Sequence, residues 1–277
     1  VEAVEFVFRR LVEMIPESGS LWVNGDDPRV LAVSTPSKAL RKTFGLGEGN
    51  DLRATNIEDH DSFTRFEVTY DGKALGCVDL PTIGDFNVRN ALGAMALAMD
   101  EGVDFETIRS ALSRFVTTKK RQELIGTVAD IAVYDDFAHH PTAVQATLEA
   151  LRGRVGERRI WAIFEAKSNT SRRRVFQDQY PAAFAPANRV ILSKPWRKDE
   201  DLPSEELLDI DELAASIRAL GPTTELIPEV DAIVAHVVSQ AEPGDVIVGL
   251  SGAAFGGLHN KLISALKVRF ETAPAAN

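Results

Sequence analysis

Acidic, aromatic and imidazole side chains are concentrated in residues 134–141, whose sequence is Tyr-Asp-Asp-Phe-Ala-His-His-Pro. The segment follows a short apolar stretch and precedes an amphipathic pattern that predicts a helix beginning near Pro141. In α/β proteins, ligand-contacting side chains commonly lie at such a junction of strand and helix. Asp136 can accept hydrogen bonds from a sugar hydroxyl, and a neighbouring ring can pack on a flat heterocycle. The alternative is that Asp135 or Asp136 only caps the helix.

Three further segments carry residues suited to ligand binding. Asn87 and Asn90 share one face of a predicted helix start, where they are either ligand contacts or an ordinary cap and an exposed amide. Arg121 ends a basic run that can clamp a phosphate, although a solvated linker is the simpler interpretation of that run alone. The glycine-rich residues 251–259 either let the backbone approach a ligand or form only a tight turn.

The elements around these residues predict an α/β fold. Beyond residue 130, short apolar strands alternate with helical patterns, which indicates a largely parallel sheet covered by helices. Upstream, residues 43–81 favour β-structure, including a hairpin that turns at Asp71-Gly72, and two helices follow. We place the domain boundary in the basic segment 116–122, giving predicted domains 1–117 and 118–277.

Composition excludes several classes of protein. The chain has 31 Lys and Arg against 41 Asp and Glu, a net charge of −10, which argues against a general nucleic-acid or anionic-membrane surface. No apolar run has the length of a membrane span. The single cysteine, Cys77, fits a reducing compartment such as the cytoplasm, and its alternating surroundings predict a small buried side chain.

The order and spacing of these segments resemble the Mur ligase family. The matching features are the N-x-x-N helix start, the K-R-x-E junction after it, and a strand leading to D-[YF]-A-H-x-P. Residues 165–170, Glu-Ala-Lys-Ser-Asn-Thr, are similar to a motif of the murein peptide ligases within that family. The run D-D-F-A-H-H-P and the closing S-x-x-x-F-G-G-x-H also look like that subfamily. The resemblance covers nearly the whole chain.

The resemblance implies an ATP-dependent ligase of peptidoglycan recycling in the bacterial cytoplasm, with consequences for cell shape and division. UDP-N-acetylmuramate would be activated as an acyl phosphate, and the amine of the murein tripeptide L-Ala-γ-D-Glu-meso-diaminopimelate would attack it. Residues 1–117 would be the C-terminal portion of a central ATPase domain. Residues 118–277 would be a Rossmann-like C-terminal domain, and the cofactors would be ATP and Mg²⁺.

Family motifs also imply roles for particular residues. Asn87 and Asn90 would contact the base region of the nucleotide, and His139 would lie against it. Arg121 would approach the phosphates, where developing charge needs a cation. Asp136 would hold the ribose or orient Arg121, so these two are the expected catalytic residues. The incoming peptide would be received by three residues: Ser168, Asn169 and Thr170.

The sequence departs from the family pattern in three ways. Phe86 stands where a histidine usually precedes the first asparagine, and Ala166 stands where the peptide motif commonly has proline. No G-x-x-x-x-G-K-[ST] phosphate loop occurs. Residues 1–15 also carry an apolar stripe at helical spacing without a capping signal. We therefore expect a truncated chain whose phosphate loop, metal ligands and N-terminal domains lie upstream of Val1, and which is inactive alone.

Three other functions fit the sequence less well. A UDP-N-acetylmuramate–L-alanine ligase shares the nucleotide motifs but would normally have a histidine- and arginine-rich sequence at 168–170. Folylpolyglutamate synthase matches less closely in the C-terminal motifs. A non-catalytic nucleotide- or peptide-binding module agrees with the missing phosphate loop, but the apolar stripe of the first helix expects a packing partner.

Overall fold

The computed structural model describes residues 2–60, 62–194 and 203–271. The chain separates into two compact units, residues 1–116 and 117–277. Both combine helices with a sheet, so the predicted α/β class is confirmed. Among the described residues, no helix is both long enough and apolar enough to cross a membrane.

The first unit is a mixed sheet flanked by helices. Its strand order is β1-β2-β3-β4-β5, with β1, β2 and β3 parallel and β3, β4 and β5 antiparallel. The strands are β1 (Ser20–Asn24), β2 (Leu40–Gly45), β3 (Leu52–Asp59), β4 (Thr64–Tyr70) and β5 (Lys73–Leu80). The helices are α1 (Glu2–Glu13), α2 (Pro28–Ser34), α3 (Asp85–Asp100) and α4 (Phe105–Leu112).

Helix α3 supplies the helical side of this unit's core. Val88, Leu92 and Met95 recur at helical spacing, are at most 1% exposed, and pack on β3, β4 and β5. At the C-terminal end of α3, Asp100 accepts hydrogen bonds from Trp22 Nε1 at 2.7 Å and from Lys42 Nζ at 3.0 Å. Buried apolar side chains and this carboxylate therefore fix α3 on the sheet.

The predicted hairpin is confirmed as β4 and β5, but the prediction that Cys77 is buried is wrong. Cys77 is exposed, whereas its neighbour Val78 is fully buried. The pairing register shifts between Val68, which faces Gly76, and Thr69, which faces Ala74, so Leu75 is the extra residue of a bulge in β5 next to Gly76, whose φ is 141°. Such a bulge changes which side chains of β5 face the core, and a sequence alternation cannot show it.

The second unit is a six-stranded sheet with the order β10-β9-β8-β11-β7-β6, parallel except for β6. Its strands are β6 (Glu123–Val128), β7 (Ile131–Asp136), β8 (Ile160–Glu165), β9 (Arg189–Leu192), β10 (Thr223–Leu226) and β11 (Val246–Ser251). Its helices are α5 (Pro141–Val155), α6 (Tyr180–Ala183), α7 (Ile210–Ala219), α8 (Val230–Gln240) and α9 (Leu258–Glu271).

Helices cover both faces of this sheet. Along β8, Ala162 and Phe164 pack with α5, α6 and α7, whereas Trp161 and Ile163 pack with α8 and α9. All four side chains are fully buried, as expected for a parallel strand covered on both faces. The predicted parallel sheet is therefore confirmed. The sequence did not reveal β6, an edge strand with mostly half-exposed residues and an interior glycine.

Candidate functional site

The carboxyl ends of β7, β11 and β8 lie side by side in the second unit, and the chain leaves them in different directions. The helices that follow β7 and β8 pack on one face of the sheet, while α9, which follows β11, packs on the other. A crevice forms at the carboxyl edge of a parallel sheet where adjacent connections diverge in this way. The strands end there in Asp136, Ser251 and Glu165.

Asp136 is buried at this edge and organises the backbone around it. Its Oδ2 accepts a hydrogen bond from the Gln122 N–H at 2.8 Å, and its Oδ1 accepts from the Ala138 N–H at 2.7 Å and from Thr147 Oγ1 at 3.3 Å. Burial raises the pKa of Asp136, an effect that these hydrogen bonds only partly offset. Asp136 does not cap α5, because the cap is His140.

Arg121 lies on a tight turn whose backbone is held from several sides. Lys120 and Gln122, on either side of it, have positive φ angles of 60° and 48°, a strained conformation for residues other than glycine. The Lys120 N–H donates to Glu123 Oε2 at 2.9 Å, and the Lys120 carbonyl accepts from the Phe137 N–H at 2.8 Å. With the bond from Gln122 to Asp136, these contacts fix the turn, while the Arg121 side chain remains exposed.

The side chain of Lys120 links this turn to the glycine-rich loop after β11. Its Nζ donates a hydrogen bond to the carbonyl oxygen of Ala253. The loop approaches closely at a second point, since a Cβ added at Gly252 would lie 3.3 Å from His139 Nδ1. The glycine-rich segment is therefore a close neighbour of the predicted nucleotide-contacting residues of this unit.

His139 is fixed beside an exposed ring. Its Nδ1 lies 2.9 Å from the Phe137 carbonyl oxygen, which indicates that Nδ1 carries the hydrogen. The hydroxyl of Tyr180 donates to the His139 carbonyl at 2.6 Å. The Phe137 and His139 rings meet edge to face with centroids 5.1 Å apart, and Phe137 is 41% exposed. Such a pair offers an apolar surface to a flat or sugar-containing ligand.

The three residues predicted to receive a peptide follow β8, but they differ in availability. Ser168 uses its side chain within the loop, where its Oγ donates to Ser171 Oγ at 2.9 Å and accepts from the Ser171 N–H at 2.9 Å. Asn169 and Thr170 are exposed. Ser168 thus shapes the loop, and Asn169 and Thr170 have the more accessible polar groups.

Asn87 and Asn90 belong to the first unit, at the start of α3. The N-cap is Gly84, with a φ of 95° and no side-chain cap, so neither asparagine caps the helix. Asn87 Nδ2 donates to the Ile83 carbonyl at 2.8 Å, whereas Asn90 is exposed. The glycine start leaves the first backbone N–H groups of α3 without a side-chain acceptor from the N-cap position.

Asp26 anchors this end of α3 and was not singled out from the sequence. It accepts hydrogen bonds from the N–H groups of Leu46 and Gly47 at 2.8 and 2.9 Å, and from Arg89 Nε at 3.2 Å. These donors lower the pKa of Asp26 although burial acts in the opposite direction. Its position in an Asn-Gly-Asp-Asp turn gave no sign of a contact with α3.

Sequence reasoning also gave no role to two polar contacts of the second unit, one between the ends of β8 and β11 and one between α9 and β7. Ser251 Oγ donates to Glu165 Oε2 at 2.6 Å, and His259 Nε2 lies 3.5 Å from Asp135 Oδ1. Residues distant in sequence make these contacts, so no local sequence pattern predicts them. Among the described residues, no group of three or more His, Cys, Asp or Glu side chains is arranged to hold a metal ion.

Comparison with known proteins places both units in one family. Residues 1–98 match the family description "Mur ligase middle domain", and residues 120–253 match "Mur ligase, glutamate ligase domain". The chain belongs to the Mur ligase family. The resemblance inferred from the sequence motifs is thereby confirmed.

Relatives within the Mur ligases carry two different activities in their names. A UDP-N-acetylmuramate–L-alanyl-γ-D-glutamyl-meso-2,6-diaminoheptandioate ligase from Escherichia coli K12 is 31% identical over 99% of this chain and 57% of its own length. A UDP-N-acetylmuramate–L-alanine ligase from Desulfitobacterium hafniense is 30% identical over 90% of this chain and 55% of its own length. The chain thus spans a little over half the length of these relatives.

A solved structure resembles the fold of this Mur ligase chain. The crystal structure of a murein peptide ligase from Psychrobacter arcticus has a TM-score of 0.69 and 30% sequence identity. The match covers 96% of this chain and 55% of that one.

Proposed function

We propose that this chain serves an ATP-dependent ligase reaction that joins the murein tripeptide L-Ala-γ-D-Glu-meso-diaminopimelate to UDP-N-acetylmuramate in cytoplasmic peptidoglycan recycling. The observation that carries the proposal is the fixed Arg121 turn at the carboxyl edge of a Mur ligase C-terminal unit. Fixing the backbone that carries a cation reduces the reorganisation needed when that cation meets developing phosphate charge. Bound ATP would supply the phosphoryl group that activates the muramate carboxylate.

Family motifs assign the proposed nucleotide contacts residue by residue, in each unit separately. Arg121 binds phosphate oxygens through its planar guanidinium, and Asp136 positions that side chain through the Gln122 N–H. His139 packs against the nucleotide beside Phe137. In the first unit, the family motif assigns Asn87 and Asn90, at the start of α3, amide contacts to the base region. Mg²⁺ is part of the proposed reaction, and we assign it no ligand among these residues.

The choice of acceptor rests on the loop after β8. Its sequence, Glu-Ala-Lys-Ser-Asn-Thr, is similar to the murein peptide ligase motif, and the E. coli relative has the corresponding name. The exposed amide of Asn169 and hydroxyl of Thr170 suit a peptide rich in carboxylates and amides. The D. hafniense relative supports the second candidate, in which free L-alanine is the acceptor.

We also propose that the 277-residue chain has no ligase activity by itself. Its sequence contains no G-x-x-x-x-G-K-[ST] run to cradle the phosphates of ATP. A non-catalytic binding module would share this property. The two cases differ in whether the protein made from the complete reading frame forms an amide bond.

A competition assay tests the proposed function. The protein expressed from its complete reading frame is supplied with ATP, Mg²⁺ and UDP-N-acetylmuramate, with the tripeptide and L-alanine together, and the products are resolved by mass. We expect the tripeptide adduct. The alanine adduct would assign the second candidate, and the absence of any amide product would favour a binding module.

A further inference from the structure

The end residues of β8 and β11 form a polar pair at the point where the sheet connections diverge. Glu165 and Ser251 lie directly opposite each other in the parallel register of these strands. The chain continues from β8 to helices on one face and from β11 to α9 on the other. The pair therefore lies where a parallel sheet opens its ligand crevice.

The hydroxyl of Ser251 fixes one oxygen of the Glu165 carboxylate. Ser251 is fully buried, and its Oγ accepts a hydrogen bond from the Ala253 N–H at 3.1 Å. The single hydroxyl hydrogen is directed to Glu165 Oε2, 2.6 Å away. Glu165 therefore acts as an acceptor in this pair and cannot swing freely.

The other carboxylate oxygen of Glu165, Oε1, remains available to accept a hydrogen bond from a ligand. Within the part of the chain that the structure describes, Oε1 makes no hydrogen bond, and it is not among the buried polar atoms that lack a partner. Lys167 Nζ lies 3.7 Å from it, beyond hydrogen-bonding distance, and both side chains are partly exposed. A partly exposed pair at this distance makes no hydrogen bond, so a cation within hydrogen-bonding distance can replace Lys167 beside Oε1.

We propose that Glu165 binds the ammonium group of the acceptor whose amine forms the new amide bond. The inference rests on the proposed ligase function. An ammonium group has three donors and no acceptor, which complements a carboxylate with one oxygen fixed and one open. The predicted peptide-binding residues begin three positions further along the same loop, at Ser168. The ammonium is shared by the tripeptide and L-alanine, so the inference holds for either acceptor.

Glu165→Gln tests this role because the amide oxygen can still accept the Ser251 hydroxyl while the charge is lost. In the protein from the complete reading frame, we expect the KM for the acceptor used to rise about 10- to 100-fold, as for a lost charged hydrogen bond, with the KM for ATP unchanged. Glu157→Gln is the matched control, since exposed Glu157 lies near the opposite end of β8 and makes the same charge change.

A blocked acceptor separates ammonium binding from a general disturbance of the site. Tripeptide acetylated on the amine of its L-alanine residue, or N-acetyl-L-alanine if alanine is the acceptor, keeps the carboxylates but has no ammonium group at the position that forms the amide bond. Its inhibition constant should be the same for the wild type and Glu165→Gln. An unchanged acceptor KM, or an equal loss of affinity for blocked and free acceptors, would overturn the inference. A wild-type protein that ligates neither acceptor would instead refute the proposed function.

Discussion

Asp136 joins three parts of the chain through one buried carboxylate. It accepts hydrogen bonds from the Arg121 turn, from the segment after β7, and from Thr147 in α5. Burial raises the pKa of its carboxyl group even so, which shows that desolvation outweighs the three donors. A single residue thus connects the positioning of Arg121 to the stability of the second unit.

Replacing Asp136 with alanine should affect both stability and nucleotide use. The change leaves the N–H groups of Gln122 and Ala138 without their acceptor, at an expected cost on the order of 2–4 kcal/mol in the free energy of unfolding. The released turn should also raise the KM for ATP in the complete protein. Urea unfolding and steady-state kinetics measure the two effects.

The matched control is Asp178→Ala, which removes an exposed carboxylate from the same unit. Asp136→Asn, which keeps one acceptor oxygen, should give smaller effects if the alanine variant fails to fold. A destabilised Asp136 variant with an unchanged KM for ATP would show that the position of Arg121 does not depend on this carboxylate.

At the scale of elements, β11 and α9 approach each other unusually closely. A Cβ added at Gly249 would lie only 2.2 Å from His259 Nε2, so β11 requires glycine where the histidine ring passes. His259 and Asp135 are buried and face each other at 3.5 Å, yet neither facing atom makes a hydrogen bond to any residue that the structure describes. Burial lowers the pKa of His259, and nearby Lys120 reinforces this against the attraction of Asp135 and Glu123.

This lowered pKa predicts an acid-sensitive contact between α9 and the sheet. Unfolded His259 takes up a proton near its ordinary value of 6.5, whereas the folded protein resists protonation. The contribution of neutral His259 to stability is therefore present above pH 6.5 and is lost as the pH falls through the folded pKa.

The contact can be tested by urea unfolding of the wild type and of His259→Gln, with the unfolding midpoint measured at pH values above and below 6.5. The wild type should lose stability relative to the variant as the pH falls, and titrating groups that do not interact with His259 cancel in the difference. A difference that does not change with pH, or one that favours the wild type in acid, would contradict the assignment.

Local patterns predicted the elements better than they predicted the contacts between them. Alternating strands and helices predicted the parallel sheet, which is confirmed, because that signal lies within short segments. The acidic junction singled out Asp136 in the same way, and its role stays a prediction. The pair of Glu165 and Ser251 and the bond from Lys120 to Ala253 connect distant parts of the sequence. Such pairs depend on strand order, which a single sequence does not specify.

At the scale of the whole molecule, family membership rests on both units, since each matches its own Mur ligase domain. The roles of Asn87, Asn90, Arg121, Asp136 and His139 remain predictions from family motifs. Because the net charge is −10, any anion that this chain binds would have to meet a local cation such as Arg121.

In the proposed reaction, the protein activates a carboxylate by phosphorylation and the acyl group is then transferred to an amine. The most direct measurement follows a heavy-oxygen label in the carboxylate of UDP-N-acetylmuramate during turnover of the complete protein with ATP, Mg²⁺ and the tripeptide. An acyl phosphate leaves one carboxylate oxygen on the released phosphate, so we predict one labelled phosphate for each amide bond formed. Unlabelled phosphate accompanying the amide product, or label appearing in AMP, would contradict the account.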